Sequence, residues 1–231
     1  MQNKINIAMV GGRGFVGQEI ISILNNHPIF MLTKVFSKTA EGTYVEGYKK
    51  SSNLKYSLLD ISNLQIDDVD IAIMALANNE SESYISIIKK NYPNIIFIDL
   101  SSDHRLDRAW DYRIPELAIR KATKLISNPG CYASAIQFSL APIKNIISGR
   151  VSSIGISGYS GAGATPNDKN NPANLKDNII PYSLTNHLHE QEVSKHCFKD
   201  ISFSPHVGNF FRGILITSHI QLKTSQTKQD I

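Results

Sequence analysis

Short apolar runs alternate with helical patterns along the first half of the chain. Strands are predicted for residues 4–10, 31–36, 69–76, 94–100 and 124–127, and helices for residues 15–26 and 80–91. Near-continuous apolar runs such as residues 69–76 are typical of strands that are buried on both faces. Strands that alternate with helices predict a parallel sheet covered by helices. In the first of these helices the pattern places Val16, Ile20, Ile23 and Leu24 on one face.

The pattern changes in the second half. A helix is predicted for residues 132–147 and a strand for residues 151–159. Residues 158–182 are rich in Gly, Pro, Asn and Asp and are predicted to form one long loop. Residues 213–222 alternate between apolar and polar side chains, which indicates a half-buried antiparallel strand. The predicted fold class is α/β: a parallel-sheet nucleotide domain over residues 1–130, followed by an α+β domain over residues 131–231.

The amino-acid composition argues against nucleic-acid and membrane partners. The 231 residues are 42% apolar and 19% charged, which is ordinary for a globular protein. The net charge of +4 is spread along the chain, so no nucleic-acid partner is expected. No apolar run approaches the roughly 20 residues of a membrane span, so no membrane partner is expected. Two cysteines and no apparent signal peptide favour a reducing compartment, and we expect a cytoplasmic protein or a mature organelle-matrix one.

A glycine-rich segment connects the first predicted strand to the first predicted helix. It comprises Gly11, Gly12, Arg13, Gly14, Phe15, Val16 and Gly17. Glycine permits a tight turn and removes the Cβ atoms that would block a pyrophosphate, while the helix N-terminus attracts the phosphates. The placement between strand and helix therefore predicts a dinucleotide site. The alternative is a turn that binds no ligand.

The end of the second predicted strand indicates which dinucleotide is bound. An NAD site usually carries an Asp or Glu at this place, next to the ribose. This chain has Ser37 and Lys38 instead, and a hydroxyl with an ammonium suits a 2′-phosphate. NADP is therefore predicted over NAD, the alternative being that the two residues form only a solvated strand end.

Cys131 follows an Asn-Pro-Gly turn and begins a predicted helix. At a helix N-terminus the dipole and the free N–H groups stabilise a thiolate, which is the reactive form of cysteine. Beside a nicotinamide, such a thiolate suggests formation and reduction of an acyl thioester. Cys197 has no such turn and is interpreted as structural.

The histidine pair His187 and His189 supplies candidates for the acid or base that this chemistry needs. Glu192 comes three residues after His189, so a helix that starts there places the two side by side. The alternative is a pair of surface histidines. No metal is expected, because no further ligand cluster accompanies the pair.

Three further segments could hold anions. Residues 157–163 follow a strand, and their backbone N–H groups could cradle a phosphate or the nicotinamide amide, with Ser160 and Gly161 assigned to the cofactor; the alternative is a flexible loop. Arg212 lies before the last strand and could bind a carboxylate, the alternative being a surface arginine. Residues 99–106, which include Arg105, follow a buried strand at the end where parallel sheets bind ligands.

These segments together closely resemble N-acetyl-γ-glutamyl-phosphate reductases, in particular the reductase part of fungal bifunctional arginine-pathway proteins. The specific segments are Asn-Pro-Gly-Cys-Tyr at residues 128–132 and Ser-Gly-Tyr-Ser-Gly-Ala-Gly at residues 157–163. The resemblance implies a Rossmann-like domain followed by a domain like that of glyceraldehyde-3-phosphate dehydrogenase. It implies NADPH-dependent reduction of an acyl phosphate to a semialdehyde, and assembly into dimers or tetramers.

The resemblance also implies roles for individual residues. Cys131 matches the nucleophile, and the acid/base is His187 or His189. Ser37 and Lys38 match the positions that hold the 2′-phosphate. Arg105, Asn128, Glu192 and Arg212 are assigned to the substrate.

Two other interpretations of the sequence remain open. One is a related acyl-phosphate reductase, such as aspartate-semialdehyde dehydrogenase or a reductase of carrier-bound glutamyl phosphate. The other is a truncated, non-catalytic NADP-binding protein. Family members generally run past 300 residues, so the substrate domain is expected to be incomplete at its C-terminus and residues 1–231 to be poorly stable and weakly active. The polar tail, residues 224–231, is predicted to begin a further connection.

Overall fold

A computed structural model describes residues 3–117 and 123–223. Within these residues the chain divides into two compact units. The first unit contains residues 3–113 and 123–128, and the second contains residues 114–117 and 129–223. A short segment after Arg113 thus packs with the second unit although it precedes the last strand of the first.

The first unit is a seven-stranded sheet with helices. Its strands are β1 (Ile5–Val10), β2 (Phe30–Ser37), β3 (Tyr56–Leu58), β4 (Ile71–Met74), β5 (Ile96–Asp99), β6 (Asp111–Tyr112) and β7 (Leu125–Ser127). Its helices are α1 (Phe15–Asn26) and α2 (Ser81–Asn91). The strand order is β3-β2-β1-β4-β5-β7-β6, and every pairing is parallel. The predicted parallel α/β domain is therefore confirmed.

The central strands are buried on both faces, as their near-continuous apolar runs predict. All four residues of β4 are buried, and so are the last four of β1. Two separate apolar clusters contain the side chains of these strands. Alternate residues of β1 divide between them, since Ala8 and Val10 belong to one cluster and Ile7 and Met9 to the other.

The bounds predicted for α1 are confirmed, but only Ile20 and Leu24 of the predicted apolar face pack against the core. The buried residues are Gly17, Ile21 and Leu24, whereas Val16 and Ile23 are 57% and 63% exposed. A Cβ atom on Gly17 would lie 2.3 Å from the carbonyl oxygen of Gly12. The helix turns its glycine toward the glycine-rich loop because only glycine permits this approach.

The second unit is a four-stranded mixed sheet with helices. Its helices are α3 (Cys131–Leu140), α4 (Pro172–Leu175) and α5 (Leu188–His196), and its strands are β8 (Ile147–Gly158), β9 (Ile179–Pro181), β10 (Ile201–Gly208) and β11 (Ile214–Leu222). The order is β11-β8-β10-β9. The strand β8 pairs parallel with β10 and antiparallel with β11. Side chains of α3, α5, β8 and β10 share one apolar cluster, which includes Tyr132, Val193 and Phe203.

Two predictions for this unit are wrong in detail. The helix predicted for residues 132–147 ends at Leu140: Ala141 still has helical dihedral angles, but Pro142 cannot donate the next backbone hydrogen bond. The segment predicted as a single loop contains a 3-10 turn (Tyr159–Ala162), α4 and β9. Such elements are too short to leave a periodic pattern in the sequence.

The antiparallel strand expected near residues 213–222 is confirmed as β11. The expectation for the polar tail, residues 224–231, lies outside the described residues. None of the helices in the described part of the chain combines the length and apolar character that a membrane span requires.

Candidate functional site

The glycine-rich loop is locked against the end of β2. The N–H groups of Gly11 and Gly12 donate to the carbonyl of Phe36 at 3.0 and 3.3 Å. Gly11 has a φ of +90°, and a Cβ atom there would lie 2.4 Å from the carbonyl oxygen of Ala75. Only glycine satisfies this backbone, so the loop has a fixed shape before any ligand binds.

The same loop leaves space where a dinucleotide needs it. Nothing lies within 4 Å of the position that a Cβ atom on Gly14 would take. Gly14 is also the N-cap of α1, and no side chain caps that N-terminus. The side chains of Phe15 and Val16 are exposed at this end of the helix. A helix N-terminus with open space in front of it fits a pyrophosphate, so the residues present fit NADP.

Polar side chains collect at the end of β2. Arg13 donates from Nη1 to the Thr39 hydroxyl at 2.9 Å, and the N–H of Thr39 donates to Ser37 Oγ at 3.2 Å. Lys38 Nζ contacts both carboxylate oxygens of Glu80, at 2.8 and 2.9 Å. The hydrogen bond to Glu80 raises the pKa of Lys38. Two cations and two hydroxyls therefore surround the place predicted for a 2′-phosphate, and Lys38 is paired with a carboxylate.

A buried charged network follows β5. His104 Nδ1 lies 2.6 Å from Asp99 Oδ2, and His104 Nε2 lies 2.7 Å from Glu82 Oε2. The imidazole stacks on Trp110 with ring centroids 3.9 Å apart. Burial opposes the charged imidazolium, but the hydrogen bonds to Asp99 and Glu82 outweigh it and raise the pKa of His104. The network ties the end of β5 to helix α2.

Arg105, one residue further along, is used to hold backbone. Its Nε donates to the carbonyl of Asn128 at 3.1 Å, and its Nη2 donates to the carbonyl of Leu100 at 3.0 Å. The structure thus brings together two of the four residues predicted for the substrate. Through the bond to Asn128, the buried Arg105 side chain fixes the turn that leads into Cys131. Its contact with a substrate stays a prediction.

Cys131 is the first residue of α3, as predicted, and its side chain is exposed. The preceding residue, Gly130, is the N-cap and has no side chain to cap the helix. Instead, the N–H of Gly130 donates to Oε2 of the fully buried Glu192 at 2.8 Å. The carboxylate of α5 thereby fixes the backbone beside the thiol. Cys197 ends α5, and burial raises the pKa of its thiol, as suits a structural cysteine.

The two histidines occupy different positions at the start of α5. His189 Nε2 lies 3.9 Å from Glu192 Oε1, so the predicted pairing through helical spacing is confirmed. His187 is the N-cap of α5, and its Nδ1 accepts the N–H of His189 at 3.1 Å. An accepting Nδ1 leaves the ring proton of a neutral His187 on Nε2. In residues 3–117 and 123–223, no group of three or more His, Cys, Asp or Glu side chains could hold a metal ion.

Aromatic rings surround this pair. The rings of His187 and His189 have centroids 4.8 Å apart, and that of Tyr132 lies 5.8 Å from His189. Tyr182 makes an edge contact with His187 at 5.7 Å, and Lys169 Nζ lies 4.8 Å from the centroid of the Tyr182 ring. Burial, together with the Lys169 charge, lowers the pKa of His187. Tyr132 donates to the carbonyl of His206, which anchors its ring to β10.

Two backbone N–H groups of the expected anion cradle at residues 157–163 are already engaged, and the assignment of Ser160 to the cofactor stays a prediction. The N–H of Ser160 donates to the carbonyl of Phe211 at 3.0 Å, and the N–H of Tyr159 donates to that of Phe210 at 2.9 Å. These amides therefore join two loops. Gly161 is exposed and stays a prediction for the cofactor. Arg212 lies in the loop that accepts these bonds, 5.3 Å from the centroid of the Phe211 ring.

Several residues of these sites are not predicted by the sequence. They are Thr39, Glu80, Glu82, Lys169 and Tyr182, whereas Asp99 and His104 lie in the segment 99–106 that the sequence predicts as a candidate anion site. The segment that contains Asp99 and His104 is recognisable as a strand end. The others carry no local signal, since their contacts connect positions that are far apart in the chain.

Family models match both units of the chain. Residues 6–126 match the model described as semialdehyde dehydrogenase, NAD binding domain. Residues 131–231 match the model described as semialdehyde dehydrogenase, dimerisation domain. Together the two matches cover nearly all of the described residues.

Curated relatives agree with these matches. The chain is 42% identical over 231 residues to the N-acetyl-gamma-glutamyl-phosphate reductase of Xanthomonas campestris pv. campestris (strain 8004), covering 97% of this chain and 72% of that protein. It is also 42% identical over 236 residues to "Protein ARG5,6, mitochondrial" of Candida albicans, covering 97% of this chain and 27% of that protein. The chain is therefore shorter than either relative.

Solved structures share the fold at low sequence identity. Aspartate semialdehyde dehydrogenase II from Vibrio cholerae, complexed with ASA, superposes with a TM-score of 0.76 at 18% identity, covering 96% of this chain and 75% of that chain. The aspartate semialdehyde dehydrogenase with NADP from Candida albicans gives a TM-score of 0.76 at 12% identity, covering 97% of this chain and 73% of that chain. At these identities the likeness shows the fold alone.

Proposed function

The chain belongs to the semialdehyde dehydrogenase family and, within it, to the N-acetyl-gamma-glutamyl-phosphate reductases, and from this membership we propose its reaction. The enzyme reduces N-acetyl-γ-glutamyl phosphate to N-acetylglutamate 5-semialdehyde with NADPH and releases phosphate, a step of arginine biosynthesis. It is an NADP-dependent oxidoreductase of the EC 1.2.1 type. The observation that carries the proposal is Cys131, an exposed thiol at the first residue of a helix, with a buried carboxylate bound to the amide beside it.

Cys131 acts as the nucleophile. The N-terminal end of α3 favours its thiolate, which attacks the acyl carbon of the substrate. A carbon–sulfur bond forms and the bond to the phosphate oxygen breaks, so that phosphate leaves and an acyl thioester remains on Cys131. When bound, NADPH supplies the hydride that reduces this acyl group. Collapse of the resulting adduct releases the semialdehyde and returns the thiolate.

His189 is the acid/base in this proposal. Glu192 lies beside it on α5 and also binds the amide of Gly130, so one buried carboxylate connects the imidazole with the nucleophile's helix. His189 protonates the departing phosphate, and the oxyanion left by hydride addition then collapses to the aldehyde and expels the Cys131 thiolate without a further proton. His187 has its Nδ1 engaged by a backbone N–H, which suits a neutral hydrogen-bond donor more than a base.

The first unit would bind the cofactor. Gly11, Gly12, Gly14 and Gly17 shape the pyrophosphate site at the start of α1, with Arg13, Phe15 and Val16 beside it. Ser37 and Lys38 would hold the 2′-phosphate, which requires Lys38 to exchange Glu80 for the phosphate. We place the boundary between the cofactor domain and the substrate domain after residue 130, next to the nucleophile.

The substrate is a small acyl phosphate with a free carboxylate. Arg105, Asn128, Glu192 and Arg212 remain the residues proposed to contact or frame it. Arg105 and Asn128 support that role by fixing the turn before Cys131.

We also propose a homodimer and a cytoplasmic location. A match to a dimerisation domain over residues 131–231 supports self-association. Leu215 on β11 and Ile154 on β8 are 60% and 44% exposed and lie near each other in the register of the sheet, which is typical of a surface that pairs with another copy. A reducing compartment suits an enzyme whose thiol must stay free.

The reaction is tested most simply in reverse. N-acetylglutamate 5-semialdehyde, phosphate and NADP⁺ are supplied, and NADPH formation is followed by absorbance. We expect NADPH formation that depends on phosphate and disappears in Cys131→Ala. Aspartate semialdehyde is the matched control substrate, and faster turnover with it would replace the proposed acyl group by an aspartyl one. A chain that oxidises neither aldehyde contradicts the proposed function.

A further inference from the structure

Lys169 places a positive charge against the histidine pair. Its ammonium lies 4.8 Å from the centroid of the Tyr182 ring, and the Tyr182 ring meets that of His187 at 5.7 Å. The charge of Lys169 also acts on His187 directly and lowers its pKa further, after burial. The pKa of Tyr182 is raised by its burial and, to a smaller extent, by the charges of Tyr132 and Cys131. One aromatic ring thus connects Lys169 with the surroundings of the nucleophile.

The ammonium has no carboxylate partner in the described part of the chain. Within residues 3–117 and 123–223, no Asp or Glu oxygen lies within ion-pair distance of the ammonium of Lys169, whose side chain is half-buried. By contrast, Arg105 donates to two backbone carbonyls, and Lys38 is paired with Glu80. A half-buried cation that neither an acid nor a carbonyl satisfies is suited to receive an anion from outside the protein.

The loop that carries Lys169 is built to hold one shape. The side-chain amide of Asn167 donates to the carbonyls of Ala162 and Thr165 at 3.2 and 2.9 Å. That of Asn170 donates to Gly163 and Thr165 at 2.9 and 2.8 Å. The N–H of Lys169 itself donates to Asn167 Oδ1 at 2.9 Å. Two asparagines that flank the lysine therefore fix its backbone, as a binding residue on a loop requires.

We propose that Lys169 binds an oxyanion of the substrate at the Cys131 site. The inference rests on the proposed function for the identity of the substrate, which carries two such groups, the α-carboxylate and the phosphate. The ammonium of Lys169 then contributes to the affinity for the acyl phosphate, while His187 beside Tyr182 stays neutral.

The first test uses binding alone. Iodoacetamide alkylates Cys131, and inorganic phosphate or N-acetylnorvaline, which has the α-carboxylate and no γ-oxygens, is added as protectant. The variants are Lys169→Met, Lys169→Arg and, as a control for the lost charge, Lys176→Met, an exposed lysine on the same segment. We expect the concentration for half-protection to rise roughly tenfold in Lys169→Met for one of the two protectants, and to recover in Lys169→Arg. The protectant affected identifies the group that Lys169 holds.

The second test uses the reverse reaction. Lys169→Met should raise the KM of phosphate or of the semialdehyde roughly tenfold while the KM of NADP⁺ stays within twofold. Equal protection and equal KM values in Lys169→Met and Lys176→Met would overturn the inference. A wild-type chain that forms no NADPH, but whose protection still depends on Lys169, would refute the reaction and retain the anion site.

Discussion

Glu192 and Gly130, 62 residues apart in the chain, are joined by a 2.8 Å hydrogen bond from the backbone N–H of Gly130 to the buried carboxylate. The bond satisfies the backbone N–H of the N-cap residue of α3, next to the nucleophile. The second carboxylate oxygen faces His189 at 3.9 Å. We therefore expect Glu192 to frame the substrate site by positioning the helix of the thiol and the imidazole of His189.

Replacing Glu192 by Gln separates its charge from its hydrogen bond. The amide oxygen still accepts the Gly130 N–H, so the melting temperature should change little. The kcat should fall roughly tenfold or more, because a neutral side chain orients and supports His189 less well. Glu190→Gln is the matched control, since that carboxylate lies on the same helix and also accepts a backbone N–H, from Phe203 at 2.8 Å. Equal kcat values in the two variants would show that the charge of Glu192 has no part in catalysis.

Substitutions of the two histidines should affect different properties, stability for His187 and kcat for His189. His187→Ala removes the N-cap of α5 and should lower the free energy of unfolding by about 1 kcal/mol, which His187→Asn restores because Asn also caps helices. His189→Asn should leave stability nearly unchanged and lower kcat by roughly 100-fold. Urea unfolding and steady-state rates measure the two effects. A larger loss of kcat in His187→Asn would exchange their roles.

Lys38 should determine the preference for NADPH over NADH. Lys38→Met should weaken NADPH binding roughly tenfold, since a charge-assisted contact with the 2′-phosphate is lost, and should leave NADH binding nearly unchanged. Fluorescence titration of both cofactors provides the comparison. Lys34→Met, a lysine of β2 that donates to the carbonyl of Gln65, controls for net charge. Similar losses for NADPH and NADH would contradict the assignment.

The buried His104 network should make stability depend on pH. The pKa of His104 is raised above the usual 6.5, so the folded state holds a proton that the unfolded chain releases near that pH. This contribution to stability is complete below pH 6.5 and is lost as the pH rises through the folded-state pKa. We expect the stability difference between wild type and His104→Gln to shrink over that interval.

The tryptophan reports the same protonation directly. Trp110 is the only tryptophan of the chain and stacks on the His104 ring, so its fluorescence should follow the charge of His104. The titration midpoint should lie above pH 6.5 and disappear in His104→Gln. His219→Gln, which changes an exposed histidine of β11, should leave it unchanged. A midpoint at or below pH 6.5 would contradict the raised pKa.

The sequence predicts the elements that have a long, uniform pattern. The bounds of α1 and the strands β1, β2, β4 and β5 follow from apolar runs and a glycine-rich turn. The buried face of α1 does not, because Gly17 contributes no apolar side chain to the pattern and yet makes the closest contact with the loop. The helix therefore lies rotated from the face that Val16 and Ile23 would indicate.

The residues of the candidate site also differ in whether a local sequence pattern predicts them. Cys131, the histidine pair and the glycine-rich loop lie in local motifs and occupy the positions predicted for them. Glu80 and Lys169 reach the site through contacts that no local pattern encodes. A glycine-rich loop after a strand suggests free backbone N–H groups. The N–H of Ser160 instead donates to the loop before β11, a contact that the local sequence does not indicate.

The thioester on Cys131 is the central claim, and a single-turnover experiment tests it. N-acetylglutamate 5-semialdehyde and NADP⁺ are mixed with the enzyme in a stopped-flow instrument without phosphate. Without phosphate the acyl group has no acceptor, so we predict a burst of NADPH equal to one per active chain, followed by turnover once phosphate is added. Cys131→Ser should show neither phase. Steady NADPH formation without phosphate, or a burst that survives in Cys131→Ser, would contradict the account.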